Sequence, residues 1–211
     1  MYTIATPEEF KANVSALDAF PGFLCWCLYC DMHKTFAAYV RYNWMSLHHM
    51  SGSRCLICLI DQPSSNADPY WQDIEKNPST APIYKSRPFD RTHHLKIADM
   101  MGIPYASLPC IVFFESPYSN EHFIIPFSGA WSEDILTEYF AGIFDRVRDV
   151  WNQSPFSGEV NVPIDRIPAV RQDCMLQLTP LLRRLRLVSA VKRIASPANL
   201  IGIAQAAASL K

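Results

Sequence analysis

The chain has 211 residues, 49% of them hydrophobic and 18% charged, with a formal net charge of −1. That composition excludes wholesale disorder, and no stretch reaches the roughly 18 apolar residues of a membrane-spanning helix. The charge is unevenly divided: residues 1–173 sum to −7, whereas residues 174–211 hold six basic groups and no acid and sum to +6.

Residues 6–18 read as a short helix, with Thr6 as a hydroxyl cap, Pro7 in the first helical position and Glu8 and Glu9 in the first turn. The first twenty residues contain Glu8, Glu9, Lys11 and Asp18 and no long apolar run, so a cytoplasmic protein is expected. Phe23–Tyr29 (FLCWCLY) is almost wholly apolar and fits a strand buried on both faces. Residues 31–50 carry Met32, Phe36, Tyr39, Val40 and Trp44 or Leu47 at helical spacing, and Ser51-Gly52-Ser53 ends that helix. Cys55–Ile60 (CLICLI) is a second buried strand.

Residues 62–90, with five prolines, read as a long loop with at most one helical turn near Tyr70–Lys76. A loop of that length is a functional element or an insertion. Thr92–Met101 reads as a helix closed by Gly102, Pro109–Glu115 as a third strand, and His122–Phe127 as a fourth that pairs with it as a hairpin. Ser132 caps an amphipathic helix running to Trp151, with Ile135, Leu136, Tyr139, Phe140, Ile143 and Val147 on one face. Residues 152–172, with three prolines, read as a linker over the domain. Helices then start at Thr179-Pro180 and Ser196-Pro197.

Strands alternate with helices and the chain closes on a hairpin. This implies an α/β protein with parallel pairing and an antiparallel edge. The order, with Leu108-Pro109 directly before the strand CIVFF and Ser128-Gly129-Ala130 before the last core helix, resembles the thioredoxin-like superfamily over residues 18–150. The resemblance implies a mixed sheet in the order β-α-β-α-β-β-α, here with an N-terminal helix and a C-terminal helical extension. The expected division is a thioredoxin-like domain over 1–151 and a linker with basic helices over 152–211. The resemblance also implies a cis peptide at Pro109, facing the active site.

In that superfamily a Cys-x-x-Cys sits after the first strand, at the start of the first helix, where the helix N-terminus lowers the thiol pKa. Two registers are open. Trp26-Cys27-Leu28-Tyr29-Cys30 is the literal motif, with Cys27 attacking and Cys30 resolving; the strand would then have to cross Pro21-Gly22. Alternatively Phe23–Tyr29 is the strand and Cys30-Asp31-Met32-His33-Lys34 opens the helix. Cys30 is then a lone thiol beside His33. The candidate catalytic residues are Cys30, Cys27, His33 and Pro109, with Cys30 common to both registers.

Cys110 and the Cys55/Cys58 pair read as buried thiols, since positions i and i+3 of a strand face opposite sides. Cys27, Cys30, His33 and the pairs His48-His49 or His93-His94 offer N/S ligands, but at no standard zinc spacing. No Gly-rich phosphate loop and no nucleophile elbow are present, so no cofactor and no metal are expected.

The function expected is thiol–disulfide exchange through a cysteine at the helix start. The alternative is a redox-inactive thioredoxin-like module for protein–protein interaction, docking through its basic C-terminal helices. A protein partner or protein disulfide substrate is the expected partner. An anionic membrane surface could engage residues 180–195. The tail lacks the aromatic interleaving of single-strand binders, so nucleic acid is not expected.

Overall fold

The computed structural model describes residues 2–3, 7–30, 32–59, 92–116, 121–127, 131–154, 157 and 163–194. Its centre is a five-stranded mixed sheet of β1 (Tyr2–Thr3), β2 (Phe23–Leu28), β3 (Cys55–Leu59), β4 (Cys110–Phe114) and β5 (His122–Pro126). The strand order is β1-β3-β2-β4-β5. β3 runs parallel to β1 and β2, and β4 is antiparallel to both β2 and β5. The chain is thus an α/β protein.

β2 lies mid-sheet, and every one of its residues is buried. Alternation divides it between two cores. Phe23, Cys25 and Cys27 enter one; Leu24, Trp26 and Leu28 enter the other. The first face is covered by α3 (Lys34–Tyr42), α4 (Trp44–Ser51) and α6 (Glu133–Gln153); the second by α1 (Pro7–Ala12), α2 (Val14–Asp18) and α5 (His93–Met100). Cys55 and Cys58 fall into opposite cores, as strand alternation requires.

Local chemistry sets several boundaries. The helix expected over 6–18 is two short helices that meet at Asn13. The helix expected over 31–50 starts only at Lys34 and is divided at Asn43, the C-cap of α3 and N-cap of α4. Ser132 caps α6, its hydroxyl accepting from the Ile135 N–H at 3.4 Å. Gly22 sits where a side chain would not fit. The Arg54 carbonyl accepts from the Phe23 N–H at 2.8 Å, and a Cβ on residue 22 would lie 2.4 Å from that same oxygen.

The C-terminal region departs most from expectation. Residues 167–194 form one helix, α7 (Ile167–Ile194), with Pro180 inside it. The linker expected over 152–172 therefore ends in helix, and Thr179-Pro180 lies in mid-helix rather than at a start. Of the three prolines that suggested a linker, Pro168 occupies the first turn of α7, where a missing N–H costs nothing. Pro180 is exposed, and the Thr179 hydroxyl just before it donates to the Met175 carbonyl at 2.8 Å.

α7 is also not an appendage. Val170, Cys174, Met175, Leu178 and Leu182 are buried in the first core, Ile167 is buried as well, and Leu185 packs against Gly142 of α6. A boundary at residue 151 cuts through that core. The helix is locked by Arg171, which is 2% exposed. Its guanidinium donates to the carbonyls of Gly22 at 2.9 Å and Phe20 at 2.6 Å, more loosely to those of Leu17 and Asp18, and to that of Glu115. The Asp18 carboxylate stands 3.9 Å away. Burial lowers the Arg171 pKa to about 10. One side chain thus fastens α7 to the α2–β2 connection and to the end of β4. The 62–90 loop and the helix expected at Ser196 lie outside the described residues.

Candidate functional site

The site is at the C-terminal end of β2. Antiparallel pairing of β2 with β4 ends at Leu28 opposite Cys110. Pro109 immediately precedes Cys110 and therefore lies at this same end of the sheet. The Leu108–Pro109 peptide is cis, and the Pro109 carbonyl accepts from the Phe127 N–H at 2.7 Å. Pro109 itself is buried.

After Leu28 the chain leaves the sheet. The Cys30 carbonyl accepts from the His33 N–H at 2.9 Å, and the His33 carbonyl then accepts from the Ala37 N–H at 2.9 Å as the first bond of α3. Cys30 thus stands in a tight turn ahead of the helix, not in its first turn as expected. His33 is the N-cap of α3, but its side chain does not cap. It folds back over Cys30, with Nδ1 3.3 Å from the Cys30 Sγ and 3.2 Å from the Cys30 backbone N.

The Cys30 N–H approaches Nδ1 as a donor, and in the neutral tautomer with its hydrogen on Nε2 the thiol S–H shares that same Nδ1 lone pair. Burial lowers the His33 pKa, which favours the same neutral ring. The imidazole is placed to accept the thiol proton when sulfur attacks. The N-terminus of α3, the positive end of its dipole, follows directly.

All seven cysteines are described, and six of them are buried; Cys30 alone is partly exposed. Cys27 is 0% exposed. It lies within the strand, and burial holds its thiol pKa well above the usual value. The register that makes Cys27 the attacking thiol needs it exposed at a helix start, and Cys27 is neither. Cys25, Cys58, Cys110 and Cys174 are held protonated in the same way. Burial and the neighbouring Cys55 thiol, 3.6 Å away, raise Cys25; burial raises Cys58 and takes Cys110 to about 12 and Cys174 to about 11. Buried thiols of this kind are inert.

The structure therefore brings Cys30 and His33 together, sets Pro109 at the same end of the sheet, and excludes Cys27. It adds His94, which the sequence reading considered only as a possible metal ligand. His94 is 0% exposed. Its Nδ1 accepts from the Tyr29 N–H at 3.4 Å, and its ring lies 4.2 Å from that of Tyr29. Burial, with smaller contributions from Arg41 and His93, lowers its pKa to about 3. The signal was in the sequence: His94, Ile97, Ala98 and Met101 recur at the i, i+3, i+4, i+7 spacing of a buried helix face.

No family model matches the chain, and no curated protein or solved structure gives a match to it. Among the described residues no helix is long and apolar enough to cross a membrane, and no three His, Cys, Asp or Glu side chains gather as a metal site.

Proposed function

We propose that the chain is a thioredoxin-like protein in which Cys30 is a single attacking thiol and His33 its proton acceptor. The observation that carries this reading is the 3.3 Å contact between the Cys30 Sγ and the His33 Nδ1, made by the one cysteine that is not buried. The strand order, the strand directions and the cis Leu108–Pro109 bond at the same end of the sheet as Cys30 support the thioredoxin-like part of the reading.

The chemistry is thiol–disulfide exchange. The Cys30 thiol gives its proton to His33 Nδ1, and the sulfur attacks one sulfur of a disulfide R–S–S–R′. A Cys30–S–S–R bond forms, the S–S bond of the substrate breaks, and R′S⁻ leaves and takes up the proton as R′SH. No second cysteine of this chain can resolve the product, because the other six are buried. An external thiol must therefore attack the mixed disulfide, releasing R–S–S–R″ and restoring Cys30.

The test is the reaction of the native protein with an aromatic disulfide whose released thiolate absorbs visible light. Wild type should react faster than a cysteine in an unstructured peptide at the same pH. Cys30→Ser should abolish the fast phase, and His33→Asn should slow it about tenfold or more, within the range typical of a lost general base. A rate equal to the peptide's and indifferent to His33→Asn sinks the enzymatic reading.

One observation favours a second reading, a redox-inactive module for protein–protein interaction. The depressed His33 pKa disfavours the imidazolium that stabilises a resting thiolate. In that case the aromatic disulfide reacts slowly, while alkylation still finds Cys30 accessible.

A further inference from the structure

α7 carries two faces of different character. Arg171, Cys174, Leu178 and Leu182 lie along the buried line. On the opposite side Leu176 and Leu187 are each 69% exposed. They are eleven positions apart, about three helical turns, and so lie on one line roughly 16 Å long. Arg183, Arg184 and Arg186 are exposed in the same stretch. At about 100° per residue, Arg184 falls on one flank of the leucine line and Arg186 on the other, while Arg183 lies close to the line itself, its guanidinium 5.9 Å from the Phe123 ring centroid.

Basic residues late in a helix are expected from the macrodipole alone. Two exposed leucines on one helix line are not, and with cations beside them they give that side of α7 an amphipathic character. The last acid of the chain, Asp173, lies one turn before Leu176, and from there to residue 211 every charge is positive.

We infer that this outward face of α7, from Leu176 to Leu187, docks on an anionic lipid surface. The charge pattern selects the occupant. A second copy of the chain would bring two +6 segments together, which like-charge repulsion opposes. A protein groove needs a ridge of close-set anchors on one side of a helix. Here the apolar line is sparse and cations stand on both flanks, the pattern of a helix lying in a lipid interface, with apolar side chains down and cations among the headgroups. The −7 of residues 1–173 turns the rest of the molecule away from such a surface, so the approach is oriented. This inference stands apart from the Cys30 chemistry.

The test is co-sedimentation of the full chain with vesicles of phosphatidylcholine, with and without phosphatidylserine. Binding is expected only with phosphatidylserine and should weaken as salt is raised. Each basic group near such a surface contributes about 1 kcal/mol. Replacing Arg183, Arg184 and Arg186 by Gln should therefore weaken binding on the order of a hundredfold, with unchanged far-UV circular dichroism and unchanged Cys30 alkylation. Leu187→Gln, which leaves every charge in place, should also weaken it. Equal binding to both vesicles, binding to neither, or loss of vesicle binding on dimerisation would overturn the inference. So would tight binding to polyglutamate without binding to vesicles, which would assign the face to an acidic protein instead.

Discussion

His94 makes the fold acid-sensitive by an amount that can be worked out. Its ring is neutral in the folded chain, with a pKa of about 3, against 6.5 for an exposed histidine. A folded pKa below the unfolded one means that, between those two values, the unfolded chain holds a proton the folded chain lacks. Stability is therefore unaffected above about pH 7, falls as the pH drops below 6.5, and levels off near pH 3. From pH 7 to pH 4 the loss is about 3 kcal/mol, taking 1.36 kcal/mol per pKa unit. Carboxylates titrate in the same range, so the comparison that isolates His94 is with His94→Asn. The Asn oxygen can stand where Nδ1 accepts from the Tyr29 N–H but does not titrate. Urea unfolding followed by tryptophan fluorescence should show His94→Asn less stable at pH 7, since the ring contact with Tyr29 is lost, yet about 3 kcal/mol less sensitive to acid. If both proteins lose the same stability between pH 7 and pH 4, His94 is not the neutral buried group described above.

Three further outcomes are expected. Arg171→Met leaves the carbonyls of Phe20, Gly22 and Glu115 without their shared donor and should cost about 3–5 kcal/mol, the range for removing one partner from a buried charged network; a urea midpoint close to that of wild type would show that α7 is held by its apolar face alone. Gly22→Ala pushes a methyl to 2.4 Å from the Arg54 carbonyl oxygen and should cost about 2–3 kcal/mol by overpacking, measured the same way. Alkylation of the native protein, read by mass spectrometry, should add one label rapidly, at Cys30, and seven after unfolding, because only Cys30 is not buried; fast labelling of any second cysteine contradicts the burial.

The sheet was legible because its strands announce themselves. FLCWCL, CLICL and CIVFF are short, apolar and bounded by turn residues, and each is a strand in the structure. β1 was not, since two residues carry no periodicity and only pairing with β3 defines them. The C-terminal helix was misread because prolines were weighed more heavily than spacing. Ile167, Val170, Cys174, Met175, Leu178 and Leu182 recur at intervals of three and four, but Arg171 in the middle of that series looks like a break in it. A charged side chain reads as solvent-facing until the carbonyls that receive it are known, and those lie about 150 positions away, at Leu17–Gly22. Only tertiary structure reveals that match.

The site shows the same division between local and distant information. Choosing between the two cysteine registers needed one fact, where β2 ends. Pro21 and Gly22 already argued against a strand that covers them, and β2 begins at Phe23, immediately after them. Strand alternation then buries Cys27 and carries Cys30 beyond the sheet. The sequence offered no signal that the chain would turn once more before helix α3, and that turn sets which groups face the Cys30 thiol. A Cys30 in the first helical turn would have its thiol steered by backbone N–H groups and the helix dipole. A Cys30 held three residues ahead of His33 in a closed turn is instead covered by the imidazole itself. In the proposed chemistry His33, which stands where the resemblance would place a second thiol, takes the thiol proton, and a Cys30–His33 pair can form no internal disulfide.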